Sequence, residues 1–464
     1  LVEKDDVDLL SPTTVLAGSD QDFLDGTTAL LAASPYSTSF FTAFATHFDV
    51  KNYIDYFVFE TYAQNTDWLG LAWGLNNIKT FRAAPDQPWR YLMYDTDAGF
   101  GFFGASVNDN FIDWARNPNY PTVHSNMFDK VLLNNTFRLR FINRYADLIN
   151  TMFQPLNFNT EVSETLAMMS GTMPHHIDRW NSPETYSSWL NAISNLTSYN
   201  ASRVNTARTH LKNSFGLPAD YNCTLDVFPP PAGAVRVNTI TPGPLPWQGV
   251  YFEECPIELE AIATEGWMFD SWDNNQHILA GDMNADARIT SVPLFTNDLF
   301  RARFVPCPED ATAMIVSNGG LLSVSLENIP YADSVAWFLE DGFVGSGSEW
   351  APNVDGSFTA EVFFDGCSAI SPSFEAGAVD IELLQPDNAF KLWPNPANES
   401  FTFQMPTPRP FRVFNAMGQA VWESLPLSGM NPEKTNVQIP TNEWPEGTYV
   451  VRSGPNAFKL VVQR

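Results

Sequence analysis

The spacing of apolar residues changes near Cys223, and this change constrains the fold more than any other feature of the sequence. Before it, apolar residues recur at three and four positions, as in 127–153, and this period predicts amphipathic helices. From Cys223 onward, short β-branched and aromatic runs are separated by turns such as PPPAG, TPGPLP and SNGG, which is typical of strands. The sequence therefore predicts a multi-domain α+β chain, mostly helical at first and then built from β-sandwich modules in series.

Two further breaks, near PCPED and LLQPDNAF, divide the β-rich part into three modules. The predicted units are a mostly helical region 1–220 and β-rich modules 222–308, 311–385 and 386–464. In the first of these modules, apolar residues alternate along one strand and predict a single buried face. Three aromatic residues are predicted to fill its core: Trp267, Phe269 and Trp272.

Charge and cysteine spacing restrict the classes of partner. The chain carries 25 basic and 53 acidic side chains, and a net charge of -28 repels nucleic-acid backbones and anionic lipid surfaces. No apolar run reaches the roughly 18 residues that a membrane-spanning helix needs, so no membrane span is predicted. The four cysteines lie far apart without CxxC spacing, which disfavours zinc. Three full disulfide pairings and free cysteines all stay open.

Acidic and amide side chains follow one predicted helix and one predicted strand. The segment that starts at Tyr53 is predicted to be an amphipathic helix that runs into a polar loop. The run WRYLMY is predicted to be a strand that ends at two aspartates, with glycines after them to turn the chain. The polar residues at these two ends are Asn65, Asp67, Asn76, Asn77, Asp95 and Asp97.

These residue types suit metal-dependent phosphoryl transfer. Magnesium on nucleotide phosphates takes hard oxygen ligands, and a carboxylate is needed to orient the attacking hydroxyl group. A loop Asp, a loop Asn and a strand-end Asp occur here in the order that protein kinases use. The alternative is structural, because Asn and Asp are also common helix caps and turn formers.

The NTDW loop, the NN pair and the pattern W-x-x-x-x-x-D-x-D resemble the CotH kinase family, and the likeness continues through LLNNTFRLRFINRYADLINTMF to HHIDRW. It extends across about 200 residues. Leu69 replaces the proline that is usual in the family, and the loop before the NN pair is longer. The resemblance implies an atypical secreted protein kinase that uses ATP with Mg²⁺ or Mn²⁺ and acts on a protein substrate.

The resemblance also implies roles for particular residues. Asp67 would be the catalytic-loop carboxylate, and Asp95 with Asp97 would be the metal-binding pair. Asn77 or Asn76 would be a metal or phosphate ligand. The opening LVEK resembles the strand and hinge that close the nucleotide lobe, so that Glu3 or its neighbours would approach the adenine. The smaller, nucleotide-gripping lobe would then lie upstream of this chain.

The three β modules carry resemblances of their own. Module 222–308 resembles internalin B-type repeats, and module 311–385 resembles immunoglobulin-like domains, with Trp337 as the core tryptophan. Module 386–464, with KLWPNPANESFTF and EGTYVVR, resembles the C-terminal sorting domain of the type IX secretion system. This last likeness implies export across an outer membrane and a partner in that secretion machinery.

The sequence therefore supports two hypotheses from different classes. The first is a secreted or cell-surface kinase-like enzyme. The second is a non-enzymatic adhesin or carbohydrate-binding protein that uses a degenerate kinase scaffold.

Overall fold

The computed structural model describes residues 8–11, 14–70, 75, 77–274, 276–277, 289–318, 320–377, 390–405, 410–415, 420–424, 436–442, 444–453 and 456–463. Two residues with predicted roles, Glu3 and Asn76, lie outside these ranges.

Helices dominate the first half of the chain, as predicted, and they surround one small antiparallel sheet with strand order β2-β1-β3-β4. The elements in chain order are β1 (Asp8–Ser11), β2 (Thr14–Ala17), α1 (Gln21–Ala32), α2 (Thr38–His47), α3 (Val50–Ala63), β3 (Lys79–Arg82), β4 (Arg90–Leu92), α4 (Phe111–Arg116), α5 (Val123–Leu132), α6 (Asn135–Asn150), α7 (Pro155–Ser170), α8 (Met173–Trp180) and α9 (Tyr186–Phe215).

The predicted helical segment 127–153 forms two helices, α5 and α6, because Asn134 interrupts it. The Asn134 side chain accepts a hydrogen bond from the Phe137 amide at 3.1 Å, which is the usual arrangement of a helix N-cap. Its amide nitrogen donates to the Pro35 carbonyl at 2.8 Å. The break therefore starts a new helix and also fixes that helix against the α1–α2 connection.

Aromatic side chains form most of the core around α3. The Phe57 ring stacks on Phe128 with 4.2 Å between centroids, and Tyr62 stacks on Phe153 at 3.8 Å. Both α3 residues are fully buried. Because aromatic rings bury large areas, these contacts fix α3 rigidly beneath the loop that follows it.

The first β-rich module packs two sheets, with strand orders β10-β8-β6 and β7-β5-β11-β9. The β5–β11 pair is parallel and the other pairs are antiparallel. Ile257, Leu259 and Ala261 are buried on one face of β8, which confirms the predicted alternation. The strands are β5 (Asp220–Phe228), β6 (Gly233–Val237), β7 (Trp247–Phe252), β8 (Ile257–Ala263), β9 (Trp267–Asn274), β10 (Ile289–Val292) and β11 (Asp298–Pro306).

Of the three aromatic residues predicted to fill this core, only Phe269 is buried; Trp267 and Trp272 are half-buried at its margin. The pairing of β9 with β11 shifts by one residue between Phe269 and Ser271. Such a bulge brings side chains at odd spacing onto one face. Trp272 accordingly lies 5.6 Å from Phe269, measured between ring centroids.

The first β module packs directly on α6, and one continuous apolar core includes residues from Leu10 to Phe304. Polar side chains along one face of α6 complete the contact. Asn143 donates to the Pro256 carbonyl at 2.8 Å, and Asn150 donates to the Val250 carbonyl at 2.8 Å. Asp147 lies between them and is fully buried. The helical region and this module are therefore packed as one unit.

The second β-rich module has sheets β12-β13-β16 and β15-β14-β17-β18, with β19 pairing with β17. Trp337 is fully buried and donates its indole hydrogen to the Gly347 carbonyl at 2.8 Å, which confirms the predicted core tryptophan. The strands are β12 (Thr312–Asn318), β13 (Leu321–Glu327), β14 (Ser334–Leu339), β15 (Gly342–Ser346), β16 (Glu349–Trp350), β17 (Gly356–Phe364), β18 (Cys367–Ile370) and β19 (Phe374–Ala376).

A disulfide joins Cys307, just after β11, to Cys367 at the start of β18, and it links the first two β modules. Cys223 and Cys255 are free and buried. Burial raises the pKa of both thiols. They therefore act as small apolar core residues.

The last module forms sheets β20-β21-β24 and β23-β22-β25-β26 around its own core, which includes Phe401, Phe403 and Val451. None of the described helices is long and apolar enough to cross a bilayer. The strands are β20 (Lys391–Trp393), β21 (Ser400–Gln404), β22 (Arg412–Phe414), β23 (Ala420–Glu423), β24 (Asn436–Pro440), β25 (Gly447–Ser453) and β26 (Asn456–Val462).

Candidate functional site

The Asp67 loop begins where α3 ends. Gln64 caps the helix in the left-handed conformation, with φ of 58°. Its side-chain amide donates to the carbonyls of Ser106 at 2.9 Å and Asp109 at 2.6 Å. The Asn65 side chain then accepts a hydrogen bond from the Asp67 amide at 3.1 Å. The backbone at Asp67 is therefore held from within its own loop.

The second acidic segment follows β4 and packs on the end of α3. The Phe100 amide donates to the Ala63 carbonyl, the last residue of α3, at 2.6 Å. A side chain at Gly99 would place its Cβ 3.2 Å from that carbonyl oxygen, which is a tight contact. The strand is shorter than predicted: β4 ends at Leu92, and Asp95 and Asp97 follow it three and five residues later.

Thr66 joins the two segments. Its amide and its hydroxyl group both donate to the Ala98 carbonyl, each at 3.2 Å. Thr66 is adjacent to Asp67 and Ala98 is adjacent to Asp97, so the structure brings the two acidic segments side by side. The Asn77 side-chain nitrogen donates to the Asp67 carbonyl at 3.0 Å and to its carboxylate at 3.1 Å.

The carboxylates differ in exposure. Asp67 is half-buried, whereas Asp95 and Asp97 are exposed and bond to none of the other described side chains. Lys79, in β3, lies with its ammonium group 3.3 Å from the centroid of the Tyr94 ring, one residue before Asp95. The sequence reasoning missed this positive charge. The position of Lys79, two residues after Asn77, is the sequence feature that could have indicated it.

Left-handed backbone conformations are concentrated here. Apart from Gln64, positive φ angles occur at Leu69 (57°), Asn77 (52°), Asp95 (53°) and Phe100 (51°). Non-glycine residues persist in this region only where their surroundings hold them, and such residues cluster at functional sites. The value at Leu69 also explains the departure from the family pattern, because proline is fixed near -65° and cannot adopt it.

A buried cation stabilises the end of α3 next to the site. Arg203, in α9, is fully buried and donates to the carbonyls of Tyr62 at 2.9 Å and Thr61 at 3.1 Å. Its guanidinium also contacts the His210 ring at 3.0 Å. Burial and this neighbouring charge lower the pKa of His210. The arginine therefore satisfies carbonyls at the negative end of the helix dipole.

A cavity of about 300 Å³ opens between β1, α1 and β3. Ile78, the residue after Asn77, lines it together with Leu10, Phe23 and His124. The His124 ring accepts from or donates to the Tyr91 hydroxyl at 2.9 Å, and burial lowers its pKa to about 4. His124 is therefore neutral at physiological pH and serves as a polar core residue.

The kinase resemblance implies a divalent metal ion, for which side-chain oxygen atoms would be the ligands. Within the described ranges, no group of three or more His, Cys, Asp or Glu side chains is arranged to hold a metal ion. Magnesium, however, is usually held by one or two carboxylates together with water and substrate phosphates. The pair of exposed aspartates fits an ion that arrives with a nucleotide better than a permanent protein-bound ion.

Comparison with family models identifies both ends of the chain. Residues 3–206 match the family described as CotH kinase protein, and residues 391–463 match the secretion system C-terminal sorting domain. This first match covers less than half of the chain, and we refer to residues 3–206, which are similar to that family, as the CotH domain. The sorting domain directs the chain to type IX secretion, so the protein is secreted or displayed at the cell surface. The CotH domain contains every candidate residue of the site.

Solved structures and curated proteins add little to this. A biofilm associated protein, BSP domain, is 13% identical with a TM-score of 0.13, and the match covers 33% of this chain and 29% of that one. The fibronectin(III)-like modules of Clostridium thermocellum CbhA are 14% identical with a TM-score of 0.12, covering 33% and 92%. Both TM-scores are too low to bear on the fold. No curated protein matches the chain.

Proposed function

We propose that the CotH domain transfers the γ-phosphoryl group of ATP to a hydroxyl group of a protein substrate, in a reaction that depends on Mg²⁺ or Mn²⁺. The observation that carries the proposal is the pair of hydrogen bonds from Thr66 to the Ala98 carbonyl, which bring the Asp67 loop beside the Asp97 turn. Phosphoryl transfer requires a carboxylate near the nucleophile and oxygen ligands near the phosphates.

Asp67 is the proposed catalytic carboxylate. The acceptor oxygen forms a bond to the γ-phosphorus while the bond from that phosphorus to the bridging oxygen breaks, and ADP leaves. Asp67 accepts the proton of the attacking hydroxyl group. The hydrogen bond from Asn77 at 3.1 Å fixes the orientation of the carboxylate for this step.

Asp95 and Asp97 are the proposed metal ligands. A bound Mg²⁺ or Mn²⁺ would neutralise charge on the phosphate oxygens. The Asn77 nitrogen already donates twice to Asp67, so the side-chain oxygen of Asn77 would be the atom available to a metal. Asn76 as an alternative ligand and Glu3 near the adenine stay predictions from the family resemblance.

The remaining modules are proposed to export the CotH domain and to hold it away from the cell surface. We propose domain limits at 1–220, 222–308, 311–385 and 386–464. The internalin-type and immunoglobulin-like modules act as spacers in this proposal. The packing of the first module on α6 and the Cys307–Cys367 disulfide between the two modules support a stiff connection.

Phosphate incorporation from labelled ATP tests the proposal. The full chain, with its upstream sequence where one is encoded, is incubated with Mn²⁺ and a protein acceptor. Asp67→Asn and Asp97→Asn are each expected to lower the rate by roughly 10²-fold or more. Asp86→Asn, an exposed position in the same domain, is the matched control and should leave the rate unchanged.

Two outcomes would contradict the proposal. If the protein transfers phosphate equally well after Asp67→Asn and Asp97→Asn, these residues do not form the site. If wild-type protein transfers none and instead binds glycans unaffected by both substitutions, the adhesin hypothesis replaces the enzyme.

A further inference from the structure

Glu60 is a carboxyl group buried beneath the Asp67 loop. It lies in the last turn of α3 and is 0% exposed. One carboxyl oxygen accepts a hydrogen bond from the Asn65 side chain at 3.0 Å, and the other has no hydrogen-bond partner. No basic side chain within the described ranges forms an ion pair with it. The sequence shows it only as a charged residue inside the apolar run FVFETYA.

An ionised carboxylate is unfavourable in this environment. Burying an unpaired charge is far more costly than burying a neutral, hydrogen-bonded group. Desolvation raises the pKa of Glu60 to about 8, and the hydrogen bond from Asn65 lowers it only in part. The titratable group that interacts with this carboxyl group is the Tyr56 hydroxyl, also on α3, and it is not a cation. The neutral acid avoids the cost of this buried charge and still accepts the hydrogen bond from Asn65.

Hydrogen bonds lead from Glu60 to the proposed catalytic residue. Asn65 uses its nitrogen on Glu60 and its oxygen on the Asp67 amide, at 3.0 and 3.1 Å. The Asn65 backbone amide also donates to the Glu60 carbonyl at 3.3 Å. Asp67 in turn is held by Asn77. Because Asn65 is fully buried, the Glu60 contact fixes which way its side-chain amide points.

We infer that Glu60 is a positioning residue for Asp67, acting as an uncharged acid that holds Asn65 in the orientation that supports the loop. It does not touch the reacting atoms. Its effect on the reaction rests on the proposed role of Asp67, whereas its effect on the loop does not. Ionisation of Glu60 would leave a desolvated charge beneath the loop, and the free-energy cost of that charge would exceed the gain from a stronger bond to Asn65. Opening of the loop would relieve this cost by admitting water, so the site should lose its order as the pH rises past neutrality.

Two substitutions separate positioning from simple packing. Glu60→Gln keeps the acceptor for Asn65 and is neutral at every pH, so it copies the protonated acid. Glu60→Leu fills the space but offers Asn65 no partner. We expect the transfer rate at pH 7 to stay within about threefold of wild type for Glu60→Gln and to fall roughly tenfold or more for Glu60→Leu, as for other residues that orient site groups.

The pH dependence gives the second readout. The ratio of the Glu60→Gln rate to the wild-type rate should be near one at pH 7 and should rise as the pH passes about 8. Hydrogen exchange of the Asp67 amide should show the same transition. Above about pH 8 we expect this amide to exchange faster in wild type than in Glu60→Gln. Asp86→Asn is the control for general pH effects.

The exchange measurement keeps the inference testable if no phosphate transfer is found. Faster exchange of the Asp67 amide in Glu60→Leu, with Glu60→Gln like wild type at pH 7, supports the inference even when the enzyme assay is negative. Equal exchange in all three proteins would overturn it. An unchanged pH profile in Glu60→Gln would show that Glu60 is not the group that titrates.

Discussion

Asp147 offers the sharpest test of how the helical region and the first β module hold together. Its carboxylate accepts four hydrogen bonds from the module: from the Asn238 side chain at 3.1 Å, the Thr239 amide at 3.0 Å, the Thr239 hydroxyl at 2.6 Å and the Tyr251 hydroxyl at 2.9 Å. Asp147→Ala removes the acceptor and leaves buried donors without partners. The perturbation therefore acts at the contact between the two parts.

The expected loss of stability follows from these contacts. A hydrogen bond to a charged group contributes roughly 1.5–3 kcal/mol, and the desolvation of the carboxylate offsets part of the sum. We therefore expect Asp147→Ala to lower the free energy of unfolding by about 3–5 kcal/mol. For a unit of this size the unfolding midpoint should fall by roughly 6–15 °C.

The pH dependence of this effect has a definite sign. Burial raises the pKa of Asp147 to about 6, against hydrogen bonds from Thr239, Asn238 and Tyr251 that lower it. Because the pKa is higher in the folded than in the unfolded protein, the related stability is fully present below about pH 4 and is lost as the pH rises to about 6. The difference in stability between wild type and Asp147→Ala should therefore narrow across that interval.

Calorimetry of the full chain measures both effects, with Asp129→Ala as control. Asp129 forms a surface ion pair with Arg116 at 2.8 Å, and such pairs contribute at most about 1 kcal/mol. If Asp147→Ala unfolds at the same temperature as the control, the buried contact does not join the two parts.

Three further predictions concern two places: the contact between the first two β modules, and the Asp67 loop. Gly366→Ala would place a Cβ 1.9 Å from the Thr264 carbonyl oxygen, so it should separate the two modules and expose that joint to proteolysis. Replacing Cys307 and Cys367 by serine removes a link across 60 residues, and the unfolding free energy should fall by about 4 kcal/mol in denaturant titrations. Leu69→Pro forces φ away from 57°, so it should cost about 3 kcal/mol or more in the same titration, and an unchanged value would contradict the loop conformation.

Local periodicity predicted most elements of the fold. The helical spacing of 127–153 and the alternation in β8 are confirmed, and so is the buried Trp337, which the immunoglobulin-like resemblance predicted. The packing of Trp272 was not predictable, because the bulge in β9 depends on its register with β11. The burial of the polar face of α6 was not predictable either. Asn143 and Asp147 have the spacing of a solvent-exposed helix surface, but they lie against the first β module.

Some residues of the candidate site could also be predicted from the sequence, and others could not. The order of NTDW and YDTD in the sequence indicated the two acidic segments, and the structure brings them together through Thr66 and Ala98. The contributions of Glu60 and Lys79 depend on tertiary contacts, with Asn65 in one case and Tyr94 in the other. Sequence spacing identifies residue types at element ends, whereas it does not show which buried group supports them.

A double-substitution cycle tests most directly whether Asp67 and Asp97 form one phosphoryl-transfer site. The transfer rate is measured for wild type, Asp67→Asn, Asp97→Asn and the double variant with the same acceptor and Mn²⁺. Residues that act as a unit give non-additive losses. We predict that the double variant is no slower than the slower single variant. A loss equal to the product of the two single losses would show that the residues act independently and would contradict the proposed site.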